Sequence, residues 1–374
     1  MPIRHVATAL VVSLGAGAGT SAGAQTVVLP LTPAEWTATD SIRFETYLGR
    51  PSIYINKGVA LSRSATFRNG TLEFDMAAGP KSNNLGIAFR AERPDAFEVL
   101  FFRPGASGTI DATQYAPAIN GVAAAWQIYH GAGANARATL PREAWIHVKL
   151  QVVADSAIVY LNNATTPTLT IPRLRLAGSG TGIGLWGSNF GLGAYFSNIS
   201  YTVDNAPFTS VAPALPAGTI EAWQLSEALD APDLVPGTLP DLRRLTWESV
   251  RAESPGLVLV NRYRRAPGIS APADEDSVLR GRVAGSKVVF ARTTIESDRE
   301  RLRLLHFGYS DNVVIYCNGR PIYSGVNPAF FRSLGNFDPI GNAVYLPLRK
   351  GRNEIVYAVT EFFGGWAFSG RLDK

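Results

Sequence analysis

Phe307-Gly-Tyr-Ser-Asp-Asn-Val-Val-Ile-Tyr-Cys-Asn-Gly-Arg-Pro-Ile-Tyr-Ser-Gly325 is a stretch built to fold back on itself. Val313, Ile315 and Cys317 alternate with Val314 and Tyr316, the two-residue period of a strand. Asn318-Gly319 then offers two residues that accept positive φ, which a two-residue turn between antiparallel strands requires. The stretch predicts a β-hairpin.

The same pattern runs outward in both directions. Asn69-Gly70 introduces Thr71-Leu-Glu-Phe-Asp-Met, which places Leu72, Phe74 and Met76 on one face and Thr71, Glu73 and Asp75 on the other. Phe97-Glu-Val-Leu-Phe-Phe is nearly continuous in apolar residues, so that strand is expected to be covered on both sides. Trp145-Ile-His-Val-Lys-Leu-Gln-Val-Val and Ala157-Ile-Val-Tyr-Leu-Asn read as an antiparallel pair joined at Ala154-Asp-Ser. Leu257 to Tyr263 and Lys287 to Ile295 read as strands of a later unit. The 36 glycines and 24 prolines, with little helical periodicity, favour short strands joined by turns, an all-β chain.

At 374 residues the chain exceeds the roughly 100–200 residues of one domain, so two cores are expected. Residues 1–24 have the build of an export signal: Arg4 and His5, an apolar run from Val6 to Leu14, and small residues at Ala22-Gly23-Ala24. The expected organisation is this signal, a first β-sandwich over 25–204, a proline-marked connector over 205–218, and a second sandwich or jelly roll over 219–374. The protein is then secreted or periplasmic, with no membrane span. Removing Arg4 lowers the formal net charge from +5 to +4, still a basic chain. Arg243, Arg244, Arg262, Arg264 and Arg265 supply local positive charge suited to acidic polysaccharide. Export and the lack of a nucleic-acid-binding motif argue against a nucleic-acid partner. Cys317 is the only cysteine, which excludes an intrachain disulfide, and its place in a strand pattern marks it as a packing residue.

Two resemblances follow from these segments. Asn69-Gly-Thr-Leu-Glu-Phe-Asp, Gly86-Ile-Ala-Phe-Arg, Trp145-Ile-His-Val-Lys-Leu, Gly182-Ile-Gly-Leu-Trp and Phe196-Ser-Asn-Ile together resemble concanavalin-A-like or laminin-G-like domains, among them the secreted 3-keto-disaccharide hydrolase type. The hairpin, the basic Arg349-Lys-Gly-Arg-Asn turn and Gly364-Gly-Trp resemble the galactose-binding-like jelly roll attached to secreted glycosidases. The resemblance implies a secreted carbohydrate-interacting or accessory protein without an identifiable complete catalytic site. A glycan-active hydrolase and an envelope structural or protein-interaction module are the alternatives.

Glu73 and Asp75 are the best carboxylate pair for hydrolysis, being two apart on one strand. Laminarinase-type enzymes carry a third acid on such a strand, where this chain has Ala77 and Ala78. For sugar binding, Arg103, Gln114, Tyr115, Asn120 and Trp126 combine planar polar groups with rings on a strand end and the loop after it. Tyr309, Asp311 and Trp366 are the second unit's binding candidates. No Cys or His falls at zinc-ligand spacing, and His147 and His306 lie in strand patterns that mark them as structural residues. Asp311-Asn312 is a candidate calcium position, against the alternative of an Asx turn.

Overall fold

The computed structural model describes residues 25–373 apart from 83, 121–127, 177–179, 188–191, 205–212, 232–238, 266–284, 328–337 and 362–364. The expected signal, most of the expected connector and Trp126 lie outside the described residues. The described chain is all-β, with antiparallel sheets stacked as sandwiches. None of its helices is long and apolar enough to cross a membrane.

The first sandwich has an eight-stranded sheet at its front and a seven-stranded sheet behind. In the front sheet lie β3 (Ile42–Tyr47), β4 (Arg50–Ile55), β6 (Gly70–Ala78), β11 (Trp145–Val153), β12 (Ser156–Leu161), β13 (Leu169–Ile171) and β15 (Ala194–Val203). They run in the order β13-β12-β11-β6-β15-β4-β3, and β1 (Thr26–Val28) also pairs with β15. The order of the back sheet is β10 (Asn135–Ala136), β9 (Thr113–Ala118), β8 (Ala96–Phe102), β7 (Leu85–Arg93), β14 (Gly182–Gly187), β5 (Gly58–Ser62) and β2 (Trp36–Ala38). Leu72, Phe74, Val148 and Phe196 from the front meet Ile87, Phe89, Leu100 and Leu185 from the back in one core. On β8, Leu100 and Phe102 join that core, while Phe97, Val99 and Phe101 join a second apolar cluster on the other side. That is the two-sided covering expected of this strand.

The second sandwich stacks a seven-stranded sheet on a four-stranded one. In the larger sheet β16 (Ala222–Ser226), β18 (Trp247–Arg251), β20 (Lys287–Ser297), β22 (Asn312–Cys317), β23 (Arg320–Val326) and β25 (Gly351–Glu361) run in the order β18-β16-β20-β25-β22-β23, with β17 (Leu229–Asp230) on β20. The smaller runs β19 (Leu257–Leu259), β26 (Ala367–Leu372), β21 (Arg301–Ser310), β24 (Asn342–Leu348). The hairpin forms as its turn chemistry requires: Asn318 and Gly319 take φ of 52° and 78° between β22 and β23. The strand expected over Leu257 to Tyr263 is shorter, because a 3₁₀ turn over Val260–Arg262 takes up its second half.

The sandwiches meet through an apolar patch of Ile119, Ile128 and Tyr129 against Leu257, Leu259 and Ala367. A chain of polar contacts seals it. The Arg175 guanidinium lies 4.5 Å over the Tyr129 ring and donates to the Ser254 carbonyl at 2.8 Å. Tyr129 Oη donates to Glu253, which also accepts from Arg262 Nε at 2.8 Å. These charges are half-buried and hydrogen-bonded to one another, so a half-made network would leave a charge partly out of water and unpaired.

Candidate functional site

Side-chain parity along the front sheet decides what reaches solvent. With Leu72, Phe74 and Met76 inward, β6 turns Thr71, Glu73 and Asp75 outward, and β11 likewise turns out Trp145, His147, Lys149 and Gln151. Register then builds one cross-strand row. Trp145 stands opposite Ala77, Ala77 opposite Tyr195, Tyr195 opposite Tyr54, and Tyr54 opposite Arg43. Five strands at about 4.8 Å spacing make that row about 19 Å wide.

A sixth side chain folds over the row. Leu48 and Gly49 take φ of 45° and 75°, so β3 and β4 are joined by a tight turn. From its start Tyr47 stacks on Tyr195, centroids 3.6 Å apart and planes within 2°, and meets Trp145 edge-on at 6.2 Å. Tyr47 therefore fills the slot above Ala77, the one small residue in the row. Arg50 lies 5.3 Å over Trp145, Arg43 lies 4.0 Å over Tyr54, and the Trp145 indole N–H donates to the Leu48 carbonyl at 3.4 Å. All four ring residues are half-buried.

Next to the rings stands Asp75, 7% exposed. Its Oδ2 accepts from Arg50 Nη1 at 2.5 Å and from Asn198 Nδ2 at 2.7 Å, and its Oδ1 contacts His147 Nδ1 at 2.9 Å. Against a carboxylate pinned by a guanidinium, Nδ1 is the donor, which leaves Nε2 3.7 Å from Glu73 Oε1. Both Asp75 oxygens are thus committed to orienting neighbours. Glu73 is the carboxylate of the pair that solvent reaches, its side chain 43% exposed. Acid–base hydrolysis of a glycosidic bond needs a second carboxyl group free to carry a proton to the leaving oxygen. Asp75 is not placed for that, and Ala77 and Ala78 are buried. Farther along the same face, a cavity of about 800 Å³ is lined by Thr71, Gln151, Ser156, Ile158, Thr202 and Val27.

The binding residues expected from sequence fall elsewhere. Tyr115 belongs to β9 rather than a loop and is 2% exposed in the first core. Its hydroxyl donates to Glu98 Oε2 at 2.8 Å and accepts from Arg175 N. Burial, and then the Glu98 charge, push this phenol well above its ordinary range, which keeps it a neutral donor. Burial also pushes the Glu98 carboxyl up, opposed by hydrogen bonds from Leu176 N and Tyr115. Gln114 is buried, with Nε2 on Asp111 Oδ1 at 2.7 Å, and Arg103 Nη1 pairs with Asp111 at 3.3 Å. Asn120 donates to the Asn261 carbonyl at 2.6 Å, so it joins the two sandwiches rather than a ligand.

In the second sandwich Tyr309, Asp311 and Trp366 are 4%, 0% and 0% exposed. Tyr309 meets Tyr323 hydroxyl to hydroxyl at 3.2 Å, and the Trp366 indole N–H donates to the Val359 carbonyl at 3.2 Å. Their expected role as exposed ligand contacts is corrected: all three are interior residues, the two aromatic ones drawn in because a ring of this size contributes most when removed from water. Among the described residues no group of three or more His, Cys, Asp or Glu converges on a metal position.

Residue types and spacing alone do not point to Tyr47, Arg50, Tyr54, Trp145, Tyr195 or Asn198 as a binding set, and they mark His147 as structural. The signal that could have found two of them is strand parity. Trp145 and His147 share the outward phase of a strand whose inward phase is Ile146, Val148, Leu150 and Val152.

No family model and no curated protein matches the chain. Among solved structures it is similar to the carbohydrate binding module CBM66 from Bacillus subtilis, at 15% identity over 45% of this chain and 96% of that one, TM-score 0.35. It is also similar to the VIP36 exoplasmic/lumenal domain in its Ca²⁺/Man3GlcNAc-bound form, at 8% identity over 50% and 90%, TM-score 0.35. A third is domain 4 of a GH43 extracellular arabinanase from Geobacillus stearothermophilus in complex with arabinotriose, at 13% identity over 45% and 82%, TM-score 0.31. Likeness of this degree says nothing of what this chain binds.

Proposed function

We propose that the outer face of the front sheet binds a carbohydrate, in an exported, non-catalytic protein. The observation that carries this reading is the row of half-buried rings Trp145, Tyr47, Tyr195 and Tyr54 beside the hydrogen-bonded set Arg50, Asp75, His147 and Asn198. A sugar presents apolar C–H faces and a rim of hydroxyls; rings cover the former at little entropic cost and fixed polar groups pair with the latter. Because Asp75 holds its neighbours in place before ligand arrives, little ordering remains to offset on binding. The same proposal takes residues 1–24 as the export signal and 25–204 and 219–374 as separate folding units, supported by cores that do not share residues.

Screening the mature protein against a glycan array tests this reading. Saturable binding that Trp145→Ala removes without loss of folding supports it, and an array with no bound glycan overturns it. Product analysis on the best-bound sugar separates binding from hydrolysis: turnover lost in Glu73→Gln would establish the hydrolase alternative.

A further inference from the structure

The basic residues singled out from the sequence are largely neutralised. Arg243 and Arg244 pair with Asp241 at 2.9 and 3.6 Å, Arg262 with Glu253 at 2.8 Å, and Arg264 with Glu248 at 2.7 Å. Positive charge without a carboxylate partner collects instead at one end of the second sandwich. There the β22–β23 turn, the β24–β25 turn and the start of β21 enclose a cavity of about 370 Å³, within the roughly 300–1,000 Å³ of small-ligand sites.

Arg301, Arg320 and Arg349 line it, against one carboxylate, Glu300. Among the described residues Arg320 and Arg349 have no acidic group within 4.0 Å, and both are exposed. Among the described residues Arg301 pairs with Asp298, at 3.7 Å through Nη2, and its Nε is buried with no hydrogen-bond partner among them. An unsatisfied guanidinium N–H out of water is costly, and an incoming oxyanion would satisfy it. Arg349 is near enough to the Cys317 thiol, also in the lining, to oppose the upward push that burial gives it.

The frame is rigid. Asn353 is fully buried, its Oδ1 accepts from Arg349 N at 2.8 Å and Asn318 Nδ2 at 2.9 Å, and its Nδ2 donates to the Arg349 and Gly351 carbonyls. One amide side chain thus ties together the two turns that carry Arg320 and Arg349. Leu302, 66% exposed, and Pro347 opposite it line the cavity, and the same strand as Pro347 exposes Tyr345, 60%, two residues away.

We propose that this end of the second sandwich binds an oxyanion, a carboxylate or sulfate ester, carried on a polysaccharide whose sugar face rests on Tyr345. Planar guanidinium groups pair with two oxygens of such a group at once. An anionic bilayer fits less well. Glu296, Asp298 and Glu300 stand among the cations and would repel a continuous negative surface, whereas a single oxyanion enters the recess past them.

The test uses the full mature chain with polygalacturonate oligomers for the carboxylate, dextran sulfate for the sulfate ester and neutral dextran as reference. An acidic polymer should bind more tightly than neutral dextran, and whichever does so identifies the group. Combined Arg320→Ala and Arg349→Ala should weaken it on the order of 100-fold, about tenfold for each charge-assisted hydrogen bond removed. The charge-matched pair Arg243→Ala and Arg244→Ala should leave affinity within about twofold, and unchanged melting temperatures would show that all variants fold. Equal loss in both double variants would reduce the effect to bulk charge and overturn the proposal, as would no loss in either. Binding to phosphatidylserine vesicles with the same arginine dependence, and none to the acidic polymers, would replace it with membrane docking. Trp145→Ala should keep acidic-polymer binding, so failure here is distinguishable from failure of the front-sheet reading.

Discussion

Each sandwich carries a cluster of aromatic residues, and these two clusters are placed oppositely. In the first, Trp145, Tyr47, Tyr195 and Tyr54 stand on the outer face of the front sheet, each half-exposed. In the second, Trp223, Phe307, Tyr309, Tyr357, Trp366 and Phe368 are all buried, and among the described residues all but Trp366 form edge-on or stacked pairs with centroids 5.0–6.1 Å apart. The difference shows that ring content says nothing about binding. What matters is whether the ring's strand phase points to the facing sheet or away from it.

The largest expected effect comes from exchanging the roles of two tryptophans. Trp366→Ala removes a fully buried indole and should cost about 3–5 kcal/mol in denaturant unfolding. Trp145→Ala should change stability by less than about 1 kcal/mol. Equal losses at the two positions would break the contrast between the sandwiches.

Next is Tyr115→Phe, which keeps the ring and deletes the hydroxyl that donates to Glu98 and accepts from Arg175 N. It should cost about 2 kcal/mol, since a buried carboxylate loses a donor. A neutral effect would mean that the Glu98 carboxyl does not depend on this donor.

A smaller loss, about 1 kcal/mol, is expected of Asp75→Asn, which preserves shape and weakens the bonds from Arg50 and His147. Its glycan affinity should fall along with that of Trp145→Ala. Unchanged affinity would detach the polar set from the rings.

The smallest effect concerns pH. Burial pushes the His130 imidazole below its ordinary 6.5, against the opposing pull of Asp111. The unfolded chain therefore binds a proton first as pH falls, so the stability His130 contributes is complete above 6.5 and is lost as pH drops through the lower folded value. Melting temperatures should decline over that interval, and His130→Gln should flatten the decline. An unchanged slope would remove His130 as its source.

Much of the architecture was legible because it rests on local chemistry. Asn318-Gly319 demanded its turn, Ala154 with φ of 53° closed the β11–β12 pair, and the unbroken apolar run of β8 was covered on both faces. Of the site, the sequence singled out only Glu73 and Asp75, as acids for hydrolysis, although strand parity also turns Trp145 and His147 outward. The tight turn between β3 and β4 brings Tyr47 onto Tyr195 and Arg50 onto Asp75, and Asn198 reaches Asp75 through a register shift in β15 between Ser197 and Ser200. Such long-range pairings leave no trace in spacing along the chain. Tyr115 misled for a related reason: Pro117 and the surrounding small residues suggest a loop, whereas β9 pairs with β8 along its full length.

Calorimetric titration of wild type and Trp145→Ala with the best-bound neutral glycan tests the central claim most directly. The expected result is saturable binding to wild type and at least about tenfold weaker binding to the variant at unchanged melting temperature, roughly 1.4 kcal/mol for one stacked ring. Equal affinity in the two proteins would contradict it.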